Sequence, residues 1–147
     1  MSAYDDLMAH ARETVALGQV LGRLSWDQET VMPRGAAPQR AEEMAALETV
    51  LHARRADPRV ADWLAEAEAE APDAAAKANL RLIARAHRRA TRVPADLAAE
   101  IARQTSLAQG IWAEARAQDD FAAFAPSLAR VLALRQAEAA ALAADDA

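Results

Sequence analysis

Three histidines, a run of arginines and several close-set carboxylates are the side chains of this 147-residue chain that could do chemistry. Histidine changes charge near neutral pH and is the commonest metal ligand. His10, His52 and His87 fall on three different helical stretches. Glu13 follows His10 by three residues and Glu48 precedes His52 by four, so each pair could share a helix face. A zinc site needs at least three protein ligands, normally oriented by further hydrogen bonds. The chain has no cysteine and no HExxH, so the histidines are expected to make helix-surface contacts rather than hold a metal. Asp27 and Glu29 sit where a first helix meets its loop. As a general acid/base pair they would need a pocket that shifts their pKa values, and the sequence signals none. Glu66, Glu68 and Glu70 alternate along one stretch and read as a solvated face. Arg81, Arg85, Arg88 and Arg92, with Arg89 beside them, form a basic stripe at helical spacing in an acidic chain. Such a stripe could take an anion or a carboxylate. The simpler expectation is pairing with acidic neighbours on the preceding helix.

The elements that must position these residues are helices. Prolines divide the chain, and most divisions carry cap chemistry. A first helix is expected from about Tyr4 to Trp26, with Leu7, Ala11, Leu17, Leu21 and Leu24 forming its apolar stripe. Gly18 and Gly22 lie within it at i, i+4, a spacing that would let another helix approach closely. Thr30 to Gly35 is a loop, because Pro33 moves Met32 out of the helical region. Pro38 suits the first turn of a second helix, reaching about Ala56 with Ala41, Met44, Leu47 and Leu51 inward. Asp57-Pro58 starts a third, with Val60, Trp63, Leu64 and Ala67 inward, which stops before Pro72. Asp73 caps a fourth that carries Ala76, Leu80, Ile83 and His87. The fifth starts at Pro94 with Leu97, Ile101, Ala108, Ile111, Trp112 and Ala115, and Asp119-Asp120 break it. Phe121 and Phe124 form an aromatic turn before Pro126. A sixth helix follows with Leu128, Val131, Leu132, Arg135 and Leu142. Its end, running into Ala143-Ala144-Asp145-Asp146-Ala147, reads as a cut or a frayed tail.

Composition agrees with an all-α class. Forty-three residues are alanine, the best helix former, and only 15 are Val, Ile or Thr. Four glycines leave little for hairpin turns or a phosphate-binding loop. No apolar run is long enough to span a membrane, and no signal peptide opens the chain. The formal charge of −5 argues against nonspecific nucleic-acid binding. Short connections favour antiparallel neighbours. The expectation is one helical domain over residues 1–147, an antiparallel bundle or array of about six helices, in the cytoplasm.

One stretch is more specific than periodicity. Leu24-Ser25-Trp26-Asp27-Gln28-Glu29-Thr30-Val31-Met32-Pro33, then Gly35 and Arg40-Ala41-Glu42, resembles the N-terminal signature of the carboxypeptidase Taq family of zinc metallocarboxypeptidases. Arg92-Val93-Pro94 with Leu97, the run Thr105-Ser106 to Trp112 with Ala115-Arg116, and Asp120-Phe121 to Pro126-Ser127-Leu128 match in the same order.

The resemblance implies a mostly helical, cytoplasmic, often homodimeric enzyme, considerably longer than this chain, that removes C-terminal residues from peptides. It implies zinc in the full-length enzyme. The HExxH helix, the third zinc ligand and the substrate-carboxylate residues would lie after residue 147, so no catalytic, cofactor or metal residue is carried over. The matched portion would wall and roof the peptide groove and be inactive alone. Its partners would be the missing catalytic region or a second copy, with no nucleic acid and no membrane. The alternative is a stand-alone helical module, derived from that family, that binds a peptide or protein. Trp26, Asp27, Met32, Pro33 and Arg40 are expected to act structurally. Asp27 would pair with Arg40 within about 4 Å, and Trp26 and Met32 would pack the loop between them. Apolar faces awaiting the missing part would be exposed and invite association.

Overall fold

A computed structural model describes residues 2–70 and 73–143, without the side chain of Glu70. It contains six α-helices, and no strand occurs among the described residues. They are α1 (Ala3–Thr30), α2 (Ala37–Arg55), α3 (Pro58–Glu70), α4 (Ala74–Arg92), α5 (Ala95–Ala117) and α6 (Phe121–Ala143), with a 3-10 turn over Arg34–Ala36 before α2. Pro72, expected to end α3, and residues 144–147 of the tail lie outside the described residues.

Local chemistry explains the boundaries. Ser2 and Asp5 form a capping box at the start of α1, each side chain accepting from the other's backbone N–H. Asp73 accepts from the Ala76 N–H at 2.8 Å and starts α4. The end of α5 is a Schellman motif: Asp120 N–H reaches the Ala115 carbonyl at 2.9 Å and Asp119 N–H the Arg116 carbonyl. Asp119 takes the left-handed conformation, φ 53°, that glycine usually supplies there.

Helix α2 is the axis of the fold. It packs most extensively on α5 and also meets α1 and α4. Helix α6 packs on α5, and α3 bridges α1 to α4. Among the described residues eight of the sixteen buried apolar side chains are alanine, so close helix approach rather than bulk fills much of the core. Leu7 and Leu51 are the largest fully enclosed side chains. Ala3, Leu7, Val60, Ala67 and Leu80 form one cluster, flanked by Tyr4, Trp63, Leu64 and Ile83.

Four expectations need correction. Helix α6 begins at Phe121, not after Pro126, because Asp120 caps it by accepting from Ala123 N–H at 3.0 Å. The proline is accommodated at the sixth helical position at the loss of one backbone bond. The enclosed residue of this helix is Leu134, and Leu132, expected inward, is 52% exposed. Ile111 and Trp112 are exposed rather than inward, since the inner face of α5 is already filled through Ile101, Ala108 and Ala115. Trp26 does not pack the loop; it is 64% exposed. Finally, Gly18 and Gly22 are not points of close helix packing. A Cβ added at either would meet nothing within 4 Å.

Candidate functional site

The corner between α1 and α2 gathers the signature residues. Asp27 lies in the last turn of α1, and its backbone carbonyl accepts from both Val31 and Met32 N–H. That turn holds no basic residue of its own. Arg40, from the first turns of α2, supplies the cation that the negative end of a helix dipole favours. Its guanidinium donates to Asp27 Oδ2 at 2.6 Å, to the Leu24 carbonyl at 2.6 Å and to Glu43 Oε2 at 2.9 Å. Its side chain is only 12% exposed. The Asp27 carboxylate, ahead of Glu43, raises the Arg40 pKa above its ordinary value despite partial burial. Met32 is half-buried, Pro33 is exposed and opens the 3-10 turn, and Arg34 reaches α5 to pair with Glu114 at 2.6 Å.

Between α1 and α5 runs a polar seam. Gln28 Nε2 donates to the Ser106 carbonyl and Ser106 Oγ donates to Gln28 Oε1, both at 2.7 Å. A cavity of about 370 Å³ lies on one side, bordered by Ser25, Glu29, Glu48, Thr105, Gln109 and Arg135. A second, of about 680 Å³, includes Met32, Pro38, Leu107 and Ile111. Glu29 edges both cavities, but Asp27 is bound to Arg40, so the two do not form an acid/base pair. Ion pairs brace the far side. Arg103 of α5 holds Glu42 of α2 at 2.7 Å and Glu100 at 2.8 Å, and Arg130 of α6 holds Glu100 at 3.0 Å. Arg130, then Arg103, lowers the Glu100 pKa; Arg103 does the same for Glu42.

The three histidines share a role that no i, i+4 pairing anticipated. Each gives a ring N–H to a backbone carbonyl near a helix end. His10 Nε2 meets the Arg54 carbonyl at 2.9 Å, His52 Nε2 the Val93 carbonyl at 2.6 Å, and His87 Nδ1 the Arg55 carbonyl at 2.7 Å. These carbonyls have no helical partner, so the histidines satisfy groups that a helix terminus leaves open. A carbonyl only accepts, which assigns the proton to the bonded nitrogen. Glu48 pairs with Arg55 and not with His52, and Glu13 pairs with Arg54. No local signal in the sequence marks these contacts, because the helix ends that His52 and His87 reach are 41 and 32 positions away.

Among the described residues Arg81, Arg85, Arg88 and Arg89 make no pair with α3. Arg89 reaches Glu138 of α6 at 3.9 Å and Arg92 donates to the Leu142 carbonyl. The guanidinium groups of Arg81, Arg85 and Arg88 have no partner among the described residues.

The family model described as carboxypeptidase Taq (M32) metallopeptidase matches residues 6–147. The chain belongs to this family. It is 39% identical over 142 residues to thermostable carboxypeptidase 1 of Thermus thermophilus, covering 94% of this chain and 28% of that protein. It is 29% identical over 129 residues to thermostable carboxypeptidase 1 of Pyrococcus furiosus, covering 87% of this chain and 26% of that protein. The chain thus spans about a quarter of the length of these relatives. Among the described residues no group of three or more His, Cys, Asp or Glu side chains could hold the metal that the family name implies. Among the described residues no helix is long and apolar enough to cross a membrane.

Proposed function

We propose that this chain serves as the N-terminal helical region of a zinc-dependent metallocarboxypeptidase, walls the groove that receives the peptide, and carries neither the zinc nor the reaction itself. The observation behind the reading is the family match over residues 6–147 of a chain that covers only 28% of a carboxypeptidase and contains no HExxH. The α1–α5 seam is the wall: Ser25, Gln109 and Glu29 border it with groups suited to peptide amides. The Arg40 clasp and the Gln28–Ser106 bridge hold that wall rigid, as a binding surface requires. The zinc is held, and the chemistry done, by residues outside these 147. The complete enzyme works in the cytoplasm, as a homodimer.

The test compares this chain with the protein encoded by the whole reading frame. The 147-residue chain should bind no stoichiometric zinc and leave an N-blocked dipeptide with a free C-terminus intact, while the longer protein binds zinc and cleaves it. Stoichiometric zinc with turnover in the short chain overturns the reading. A stop codon directly after residue 147 would favour the stand-alone interaction module instead. For the wall, Gln109→Trp in the longer enzyme should raise KM more than it lowers kcat, and an unchanged KM would remove the seam from peptide binding.

A further inference from the structure

Both phenylalanines of the chain and one of its three tryptophans line a single open cavity of about 310 Å³ at the turn from α5 to α6. Trp112 comes from the end of α5, and Phe121 and Phe124 from the first turn of α6. Phe121 is 69% exposed and Trp112 is 48% exposed, although aromatic rings dominate cores where a fold can enclose them. The charged residues of the lining are Asp119, Asp120 and Arg116.

Both carboxylates have acceptor capacity to spare. Asp120 uses Oδ1 to cap α6 on the Ala123 N–H. The Asp119 carboxylate has no partner among the described residues. Asp119 also holds the left-handed φ of 53°, which glycine would adopt at lower cost. Arg116 borders the cavity, but among the described residues its guanidinium pairs with no carboxylate and covers no ring. Two carboxylates against one guanidinium leave the lining negative beside three aromatic rings.

The chain shows elsewhere what completes such a set. At the start of α3 the Arg59 guanidinium lies 5.3 Å over the Trp63 ring, and the Asp57 carboxylate holds it at 2.6 Å. A flat guanidinium stacks on the electron-rich face of a ring while its N–H groups take a carboxylate. The α5–α6 corner has the tryptophan and the carboxylates, adds two phenylalanines, and has no cation over its rings.

We propose that this corner is a binding site for an arginine side chain presented by a peptide segment. Its guanidinium stacks on Trp112 and Phe121 and is held by Asp119 and Asp120. The site requires neither the zinc nor the proposed peptide wall, so its failure leaves that reading untouched.

Three tryptophans give three indole N–H signals, so Trp26 and Trp63 are internal controls in an NMR titration of the 147-residue chain. The probe is N-acetylarginine methylamide, with the uncharged citrulline analogue and the lysine analogue as comparators. The arginine probe should shift the Trp112 signal saturably, with half-saturation on the order of 1 mM, and leave the other two in place. The citrulline analogue should bind about tenfold more weakly and the lysine analogue about threefold more weakly, and added salt should weaken the arginine probe.

Asp119→Gly separates binding from folding. Glycine is the better residue at this backbone angle, so the variant should be at least as stable in urea while its affinity for the arginine probe falls about fivefold. Phe121→Leu keeps apolar bulk but removes the ring, and should weaken binding about threefold. Arg116→Gln removes a competing cation and should tighten binding about twofold. No saturable shift at Trp112, an equal shift at Trp26, equal binding of the citrulline analogue, weaker binding in Arg116→Gln, or unchanged affinity in both Asp119→Gly and Phe121→Leu overturns the site. Equal or tighter binding of the lysine analogue overturns its assignment to arginine.

Discussion

Arginines meet opposite fates in two regions of the molecule. On the α2–α5 side every clasp is closed: Arg40 has Asp27, Glu43 and the Leu24 carbonyl, and Arg103 has Glu42 and Glu100. On the outer face of α4, Arg81, Arg85 and Arg88 have no partner among the described residues. The same residue type builds the fold in one place and stands exposed in the other. The difference lies in what faces it. Carboxylates and a helix-end carbonyl lie within reach of the Arg40 and Arg103 side chains, while no carboxylate lines the groove between α1 and α4.

The sharpest test of the contrast is Leu51→Ala. Leu51 is fully enclosed in α2, and the change should cost about 3 kcal/mol in urea unfolding. Arg40→Met should cost about 2 kcal/mol, because Asp27 and the Leu24 carbonyl would lose a nearly buried donor. Arg40→Lys should recover only part, since an ammonium cannot serve all three acceptors in the same fork. A destabilisation below about 0.5 kcal/mol for Arg40→Met would place it with ordinary surface pairs and dissolve the comparison.

Gly18→Ala probes the open side with the opposite sign. The added methyl meets nothing within 4 Å, so helix propensity alone should raise stability by about 1 kcal/mol. A loss instead would mean that the groove is already filled in the isolated chain. Acid acts at the junction of α2 and α3. Hydrogen bonds from the Arg59 side chain and then its backbone N–H depress the Asp57 pKa to about 2. Its contribution is present above the unfolded value near 3.8 and is lost as pH falls through about 2. Urea midpoints should therefore decline across that window, and Asp57→Asn should flatten the decline. The smallest effect belongs to Leu82→Gln, within about 0.5 kcal/mol on the isolated chain, because its side chain is already exposed.

Much of the architecture was readable in advance. Pro58, Asp73 and Pro94 mark helix starts through chemistry local to each residue, and the inward faces of α2 and α3 follow from spacing. The Asp27–Arg40 pair was reachable because both lie on either side of one short loop. Apart from the start of α6, set by the local Asp120 cap, what was misjudged involved long-range geometry. The carbonyls that engage His10, His52 and His87 come from residues 44, 41 and 32 positions away. Trp26 and Trp112 carry the apolar character of core residues, yet the described helices leave them 64% and 48% exposed. Ser106 is buried because Gln28, 78 positions earlier, completes its hydrogen bonds.

By itself the amino-acid sequence determined the helical class, the number of helices and most of their starting points, because caps, prolines and apolar spacing act within a few residues. Tertiary structure alone decided which polar groups found partners and which apolar faces stayed open. Those outcomes depend on distances between helices, which are set by how alanine-rich faces pack and by nothing local to any one of them.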